Sequence, residues 1–244
     1  MSEVDSFTGK WSARWPEWQV AAVFLPAATR EAALAWFALR QELLDAAWAG
    51  ADPRPGEAKL AWWAEELQGW AQGRHRHPLG STLQALPAPW ARLAASLPVL
   101  AAARERAVDL GEARGQLAPF AAVLADIDVA IAPAAQAPAD AAALAMHLLA
   151  QRAIIADDNA VPLAVRARLG ADAGDDRAAQ AWASELLQAW PPGQGTRAGR
   201  IHAALLHERL RRTAAGRGTA LPSRWRSLVV AWRAARGRHS VPPP

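Results

Sequence analysis

Six histidines, the adjacent aspartates Asp157-Asp158 and a run of arginines interleaved with tryptophan are the residues whose chemistry first invites a function. Arg74-His75-Arg76-His77 sets two imidazoles on alternate residues among cations, the composition of a loop-borne metal or phosphate site. It lacks a third ligand nearby, and the same residues suit a solvated turn. His202 and His207 are five apart, roughly 140° around a helix, so they diverge. His147 lies in an apolar helix and reads as a core histidine, with catalysis as the sharper alternative. Asp157 and Asp158 are neighbours, so on a helix their carboxylates face different ways. Glu31 and Glu65-Glu66 read as solvated faces. No phosphate-cradling glycine loop, metalloprotease helix, nucleophile elbow or zinc spacing occurs.

The tail is chemically distinct. Between Arg197 and Arg238 stand eleven arginines against one acid, Glu208, which gives this stretch about +10 and leaves the rest near −6. Trp225, Leu228, Val229 and Trp232 fall at i, i+3, i+4 and i+7, one apolar stripe with arginines largely to its sides. Arg224, Trp225, Arg226, Trp232 and Arg233 are the candidate contacts to a membrane or partner. Two readings stand: a terminal helix docked on the body, or an interfacial helix on anionic lipid, for which stripe plus arginines is the required combination. Nucleic acid would want scattered aromatics on a basic surface, and no nucleic-acid motif is present, so no specific nucleic acid is expected.

The elements that must position these groups are helical. Alanine dominates, tyrosine is absent and strand-forming residues are scarce. Proline and glycine punctuate helices expected near 28–49, 57–73, 79–86, 89–114, 117–132, 138–157, 162–169, 175–190, 197–215 and 222–237. No alternating apolar/polar run argues for strands. Pro191-Pro192-Gly193-Gln194-Gly195 marks the clearest boundary, dividing a helical domain over 1–192 from an arginine-rich extension over 193–244, packed on it or tethered to it. The chain has no cysteine, which excludes disulfides and thiolate chemistry. Neither a secretory signal nor a membrane-spanning stretch is read from it, so the expected place is the cytoplasm, including a peripheral position at the inner membrane. Of the thirteen tryptophans, Trp36, Trp48, Trp62, Trp63, Trp70 and Trp90 cluster early. They read as core packing or as the lining of an apolar cavity.

Leu25-Pro26, Arg30 and Ala32, then Gly56-Glu57-Ala58-Lys59-Leu60-Ala61-Trp62-Trp63 and His77-Pro78, form one ordered series. It resembles the opening of the squalene/phytoene synthase family over residues 24–90, with a fainter continuation to about 170. The resemblance implies an all-α isoprenoid (terpenoid) synthase fold, with Arg30 as a diphosphate contact. Enzymes of that family carry aspartates at i and i+4 on two facing helices, which bridge Mg²⁺ ions against a diphosphate leaving group. Without gaps, the first of these motifs falls on Leu44-Asp45-Ala46-Ala47-Trp48, where Asp45 alone survives. A register shifted by three, Gln41-Glu42-Leu43-Leu44-Asp45, keeps two acids. The second motif should lie near 148–163, where Leu148-Leu149-Ala150-Gln151 has no acid and Asp157 and Asp158 lie beyond. Glu42-Leu43 is similar instead to a branch that includes mitochondrial assembly factors for respiratory complex I and bacterial phytoene synthase-like proteins.

The expectation is therefore a pseudoenzyme with degenerate aspartate motifs, binding a prenyl compound or protein partner near the membrane and needing no cofactor. The alternative is an active prenyl transferase of isoprenoid biosynthesis, with Glu42 and Asp45 as catalytic candidates and Asp45, Asp157 and Asp158 as ligands to Mg²⁺. A third reading is a basic adaptor joining a membrane or an acidic partner through residues 197–238.

Overall fold

Pro26 ends an extended turn and starts α3 (Ala27–Trp48), whose 22 residues pass through the middle of the protein with thirteen of them buried. Around it the chain builds eleven further α-helices and no strand among the described residues, which are 3–132, 140–155, 158–170, 172–218 and 221–237 of the computed structural model. The all-α expectation holds.

The sequence reading had no helix before residue 28. The structure has α1 (Glu3–Arg14) and a short α2 (Trp18–Ala21), and they bury Trp11, Trp15 and Trp18 against α3. The polar start of α1 hid this, because its apolar face is made of a few widely spaced aromatics. After α3 come α4 (Arg54–Ala71), the single turn α5 (Gly80–Leu83) and α6 (Trp90–Ala102). α4 lies so close to α3 that a β-carbon on Gly56 would sit 2.0 Å from the Ala46 carbonyl oxygen. Only glycine fits there.

The expected helices 89–114 and 117–132 divide differently. α6 stops at Ala102, and α7 runs unbroken from Leu110 to Ile131. Its start is fixed by Asp109, whose carboxylate accepts from the Glu112 N–H, while Glu112 reaches back to the Val108 N–H. Pro119 lies inside α7 and loses one backbone bond. Burial of Leu117, Phe120, Ala121 and Leu124 holds the helix across it.

The chain continues with α8 (Ala141–Ile154), α9 (Leu163–Leu169), α10 (Asp175–Gln188), α11 (Arg197–Ala214) and α12 (Arg224–Ala235). Asp140, Thr196 and Ser223 cap α8, α11 and α12 with side-chain oxygens. α7 packs on α8, α4 on α6, and α11 on α8, α10 and α12. Ile201, Leu205, Leu206 and Leu210 of α11 have no exposed surface and belong to the common core. The first half of the arginine-rich segment is thus a core helix, and α12 joins the core through Ala231 alone among its fully buried apolar residues.

Nine of the thirteen tryptophans are buried. Trp36, Trp90, Trp70 and Trp63 make a chain of edge contacts with ring centres 6.3, 5.1 and 6.3 Å apart. The early tryptophans are chiefly core. Trp36 is the one that also faces a cleft, and Trp62 is 37% exposed.

Candidate functional site

The cleft lies where the first turns of α3 and α11 meet the end of α7, and holds about 360 Å³. That is near the lower end of ligand-pocket volumes. Leu25, Trp36, Phe37 and Ile131 give it apolar walls, Asp128 a single carboxyl, and Arg197 and Arg200 a cationic side. Thr196 caps α11 there by accepting from the Gly199 N–H at 3.0 Å. A β-carbon on Gly199 would stand 3.9 Å from Asp128 Oδ2, so the first turn of α11 abuts that carboxyl. Arg200 is held by the Gly195 and Ala234 carbonyls, at 2.6 and 3.2 Å. Burial, with Arg197 beside it, pushes its pKa down. Arg197 is exposed and makes one long contact to the Phe24 carbonyl, 3.5 Å.

Asp128 connects the cleft to a polar cluster deeper in the bundle. Its Oδ1 accepts from the Trp36 indole at 2.6 Å. Burial raises its pKa, opposed by Arg40 and by that hydrogen bond. Arg40 is 4% exposed, its guanidinium 6.0 and 5.7 Å from the Trp36 and Phe37 ring centres, with Nε and Nη2 hydrogen-bonded to no atom among the described residues. Burial lowers the Arg40 pKa, and Asp128 works against that. His147 and His202 titrate far below an ordinary imidazole, burial first and Arg40 second; His147 falls to about 3. His202 lies against Trp15 and Phe37, 4.6 and 4.7 Å between centres, and bonds Gln151. Arg40 and Asp128 drew no attention in sequence, and Gln151 did so only as the place of a missing acid. A charged residue inside an apolar helical stretch, as Arg40 is, was the available signal.

The candidates from the resemblance sit elsewhere. Glu42 and Asp45 share one face of α3 but are each held by a cation: Glu42 by Lys59 of α4, Asp45 by Arg14 of α1 at 2.8 Å. Asp45 also accepts from Gln41 at 2.8 Å, and burial is the first cause of its raised pKa. Arg30 donates to the Leu25 carbonyl at 2.9 Å, bracing the turn before α3, and is not among the residues that line the cleft. Across from α3, α8 presents Gln151 and Arg152, the latter donating to the Arg104 and Asn159 carbonyls. Asp157 lies outside the described residues, as does the side chain of Asp158, whose backbone opens the 3-10 turn Asp158–Ala160. Among the described residues no three acidic or histidine side chains gather where a metal ion could be held.

The histidine motif is structural on one side. His77 is buried against Phe7 and Trp63, ring centres 4.3 and 4.6 Å away, and Nδ1 accepts from the Leu79 N–H. Burial lowers its pKa. His75 stays exposed, so the two rings do not converge. His202 and His207 diverge as expected, His207 packing instead on Trp190 at 5.1 Å. Glu66 overturns its expectation of solvation. Its side chain is 1% exposed and accepts from the Trp70 indole, the Arg76 and His77 backbone N–H groups and the Arg76 guanidinium. Burial opposes ionisation, yet these donors hold its pKa at about 2.

No protein-family model matches the chain, and no curated protein matches it. No helix among the described residues is long and apolar enough to cross a membrane.

Proposed function

We propose that the protein works by binding, as a squalene/phytoene synthase-like helical protein without metal-assisted prenyl transfer, and that its ligand is an isoprenoid chain with an anionic head. One observation carries the reading. Glu42 and Asp45, which would grip Mg²⁺, are engaged by Arg14, Gln41 and Lys59, while a cleft that joins apolar walls to cations lies two to three turns away along α3. Trp36, Phe37 and Ile131 offer the chain a surface to leave water against, and Arg197 and Arg200 oppose the charge of the head. Asp128 is the one carboxyl in the lining; burial raises its pKa, and Arg40 and the Trp36 indole work against that.

The test is equilibrium binding of farnesyl diphosphate with and without Mg²⁺, with pyrophosphate release measured in parallel. Binding should be indifferent to Mg²⁺, unchanged in Asp45→Ala, and weakened roughly tenfold in Arg197→Ala, the loss of one charge-assisted contact. Mg²⁺-dependent pyrophosphate release above a protein-free control would establish the active transferase instead.

A further inference from the structure

α12 is docked with its tryptophans facing away from the body. Its buried side is Ser227 and Ala231, small residues seated against α11 and α2. At 100° per residue, Trp225, Val229 and Trp232 fall within about 60° of one another and roughly opposite those two. Their exposures are 78, 43 and 41%, and Leu221, just before the helix, adds an apolar residue at 47%. Leu228, the fourth member of the stripe read from the sequence, is half-buried at its edge. A lone exposed apolar residue needs no account, but two tryptophans and a valine aligned on one outward ridge do.

The charges around the ridge have one sign. Arg224 and Arg226 flank it on opposite sides, Arg233 lies beside it, and Arg236 sits over the Trp232 ring at 4.1 Å. Between the end of α11 and the start of α12, a recess of about 300 Å³ is lined by Arg211, Arg212, Arg217 and Arg226, with Glu208 as its one acid. Glu208 is 5% exposed and takes both prongs of Arg226, with Arg211 3.6 Å away. Four guanidinium groups against one carboxylate leave the recess strongly cationic.

We propose that α12 seats the protein on an anionic lipid surface, its Trp225–Val229–Trp232 ridge entering the headgroup layer and the Arg211–Arg212–Arg217–Arg226 recess receiving a lipid phosphate. The ridge is convex and apolar at its crest, with arginines at the flanks, the cross-section of a helix lying in a bilayer interface. Indole rings favour that depth. Arginine meets phosphate with a planar fork of donors. A nucleic acid surface offers no apolar layer for the crest, which decides between the two polyanions. The inference rests on α12 and the recess alone and stands apart from the ligand assigned to the cleft.

Co-sedimentation of the full chain with vesicles tests it. The chain should partition onto vesicles in which a third of the phosphatidylcholine is replaced by phosphatidylglycerol, and stay in solution with phosphatidylcholine alone. Trp225→Ala with Trp232→Ala should reduce partitioning roughly tenfold or more, and Arg211→Ala and Arg217→Ala roughly fivefold each. All four side chains are exposed, so the far-ultraviolet circular dichroism should match the parent; if the tryptophan pair loses helix, Val229→Asp serves in its place. Equal partitioning onto neutral vesicles, indifference to the tryptophan changes, or retention by duplex DNA or polyglutamate without any vesicle binding overturns the proposal.

Discussion

Glu17 and Arg209, 192 residues apart, close on each other as a two-pronged ion pair, with Nε to Oε1 at 2.7 Å and Nη2 to Oε2 at 2.6 Å. The guanidinium also lies 3.9 Å from the Trp15 ring and donates to the Arg14 carbonyl. Side-chain exposures of 12 and 2% put the pair largely out of water. It fastens the helix pair at the N-terminus to α11, so the arginine-rich segment is tied to the opposite end of the chain.

Removing one partner of such a pair strands a buried charge. Arg209→Ala should lower stability by about 3–5 kcal/mol, and Arg209→Met combined with Glu17→Leu should recover most of that. Chemical denaturation of the three proteins measures it, and additive losses in the double variant would refute the coupling.

Glu66 gathers the end of α4 and the Arg76-His77 turn around one carboxylate. Its pKa of about 2 lies below that of an unfolded glutamate. Its contribution is therefore complete above the ordinary glutamate range and fades as pH falls toward about 2. Glu66→Gln should cost about 2–4 kcal/mol at pH 7 and much less near pH 2. Thermal unfolding across that range checks the convergence of the two curves.

His147 and His202 take up protons on unfolding that the buried rings refuse, so stability should be full above the ordinary histidine pKa and fall as pH drops below it. These two groups should contribute roughly 2–3 kcal/mol per pH unit near pH 5. His147→Leu should remove about half of that contribution. A stability profile as steep as the parent's would show that other groups govern acid unfolding.

At Gly56 a methyl group has nowhere to go, since the nearest atom is backbone. Gly56→Ala should separate α3 from α4 and lower stability by about 2 kcal/mol or more, despite the better helix propensity of alanine. Gly115 lies in α7 with open space around it, so Gly115→Ala should stabilise by roughly 0.5–1 kcal/mol. Midpoints of the two variants should move in opposite directions.

What was legible in the sequence was carried by local rules. The alanine-rich composition and the proline and glycine punctuation are set by backbone conformation, and they gave the helical class and most elements after residue 28. The i, i+3, i+4, i+7 spacing of α12 gave its apolar stripe. Local rules failed where distant chain decided the outcome. Pro119 stays inside a helix because the core buries the residues on either side, and α1 exists because α3 and the His77 turn wait for its aromatics. Which face of α12 turns outward was equally hidden, because Ser227 and Ala231 give a close fit against α11 that tryptophan cannot. The same holds for the acids. Sequence fixes that Glu42 and Asp45 share a helix face, but Lys59 and Arg14 come from other helices, and only folding brings them within reach.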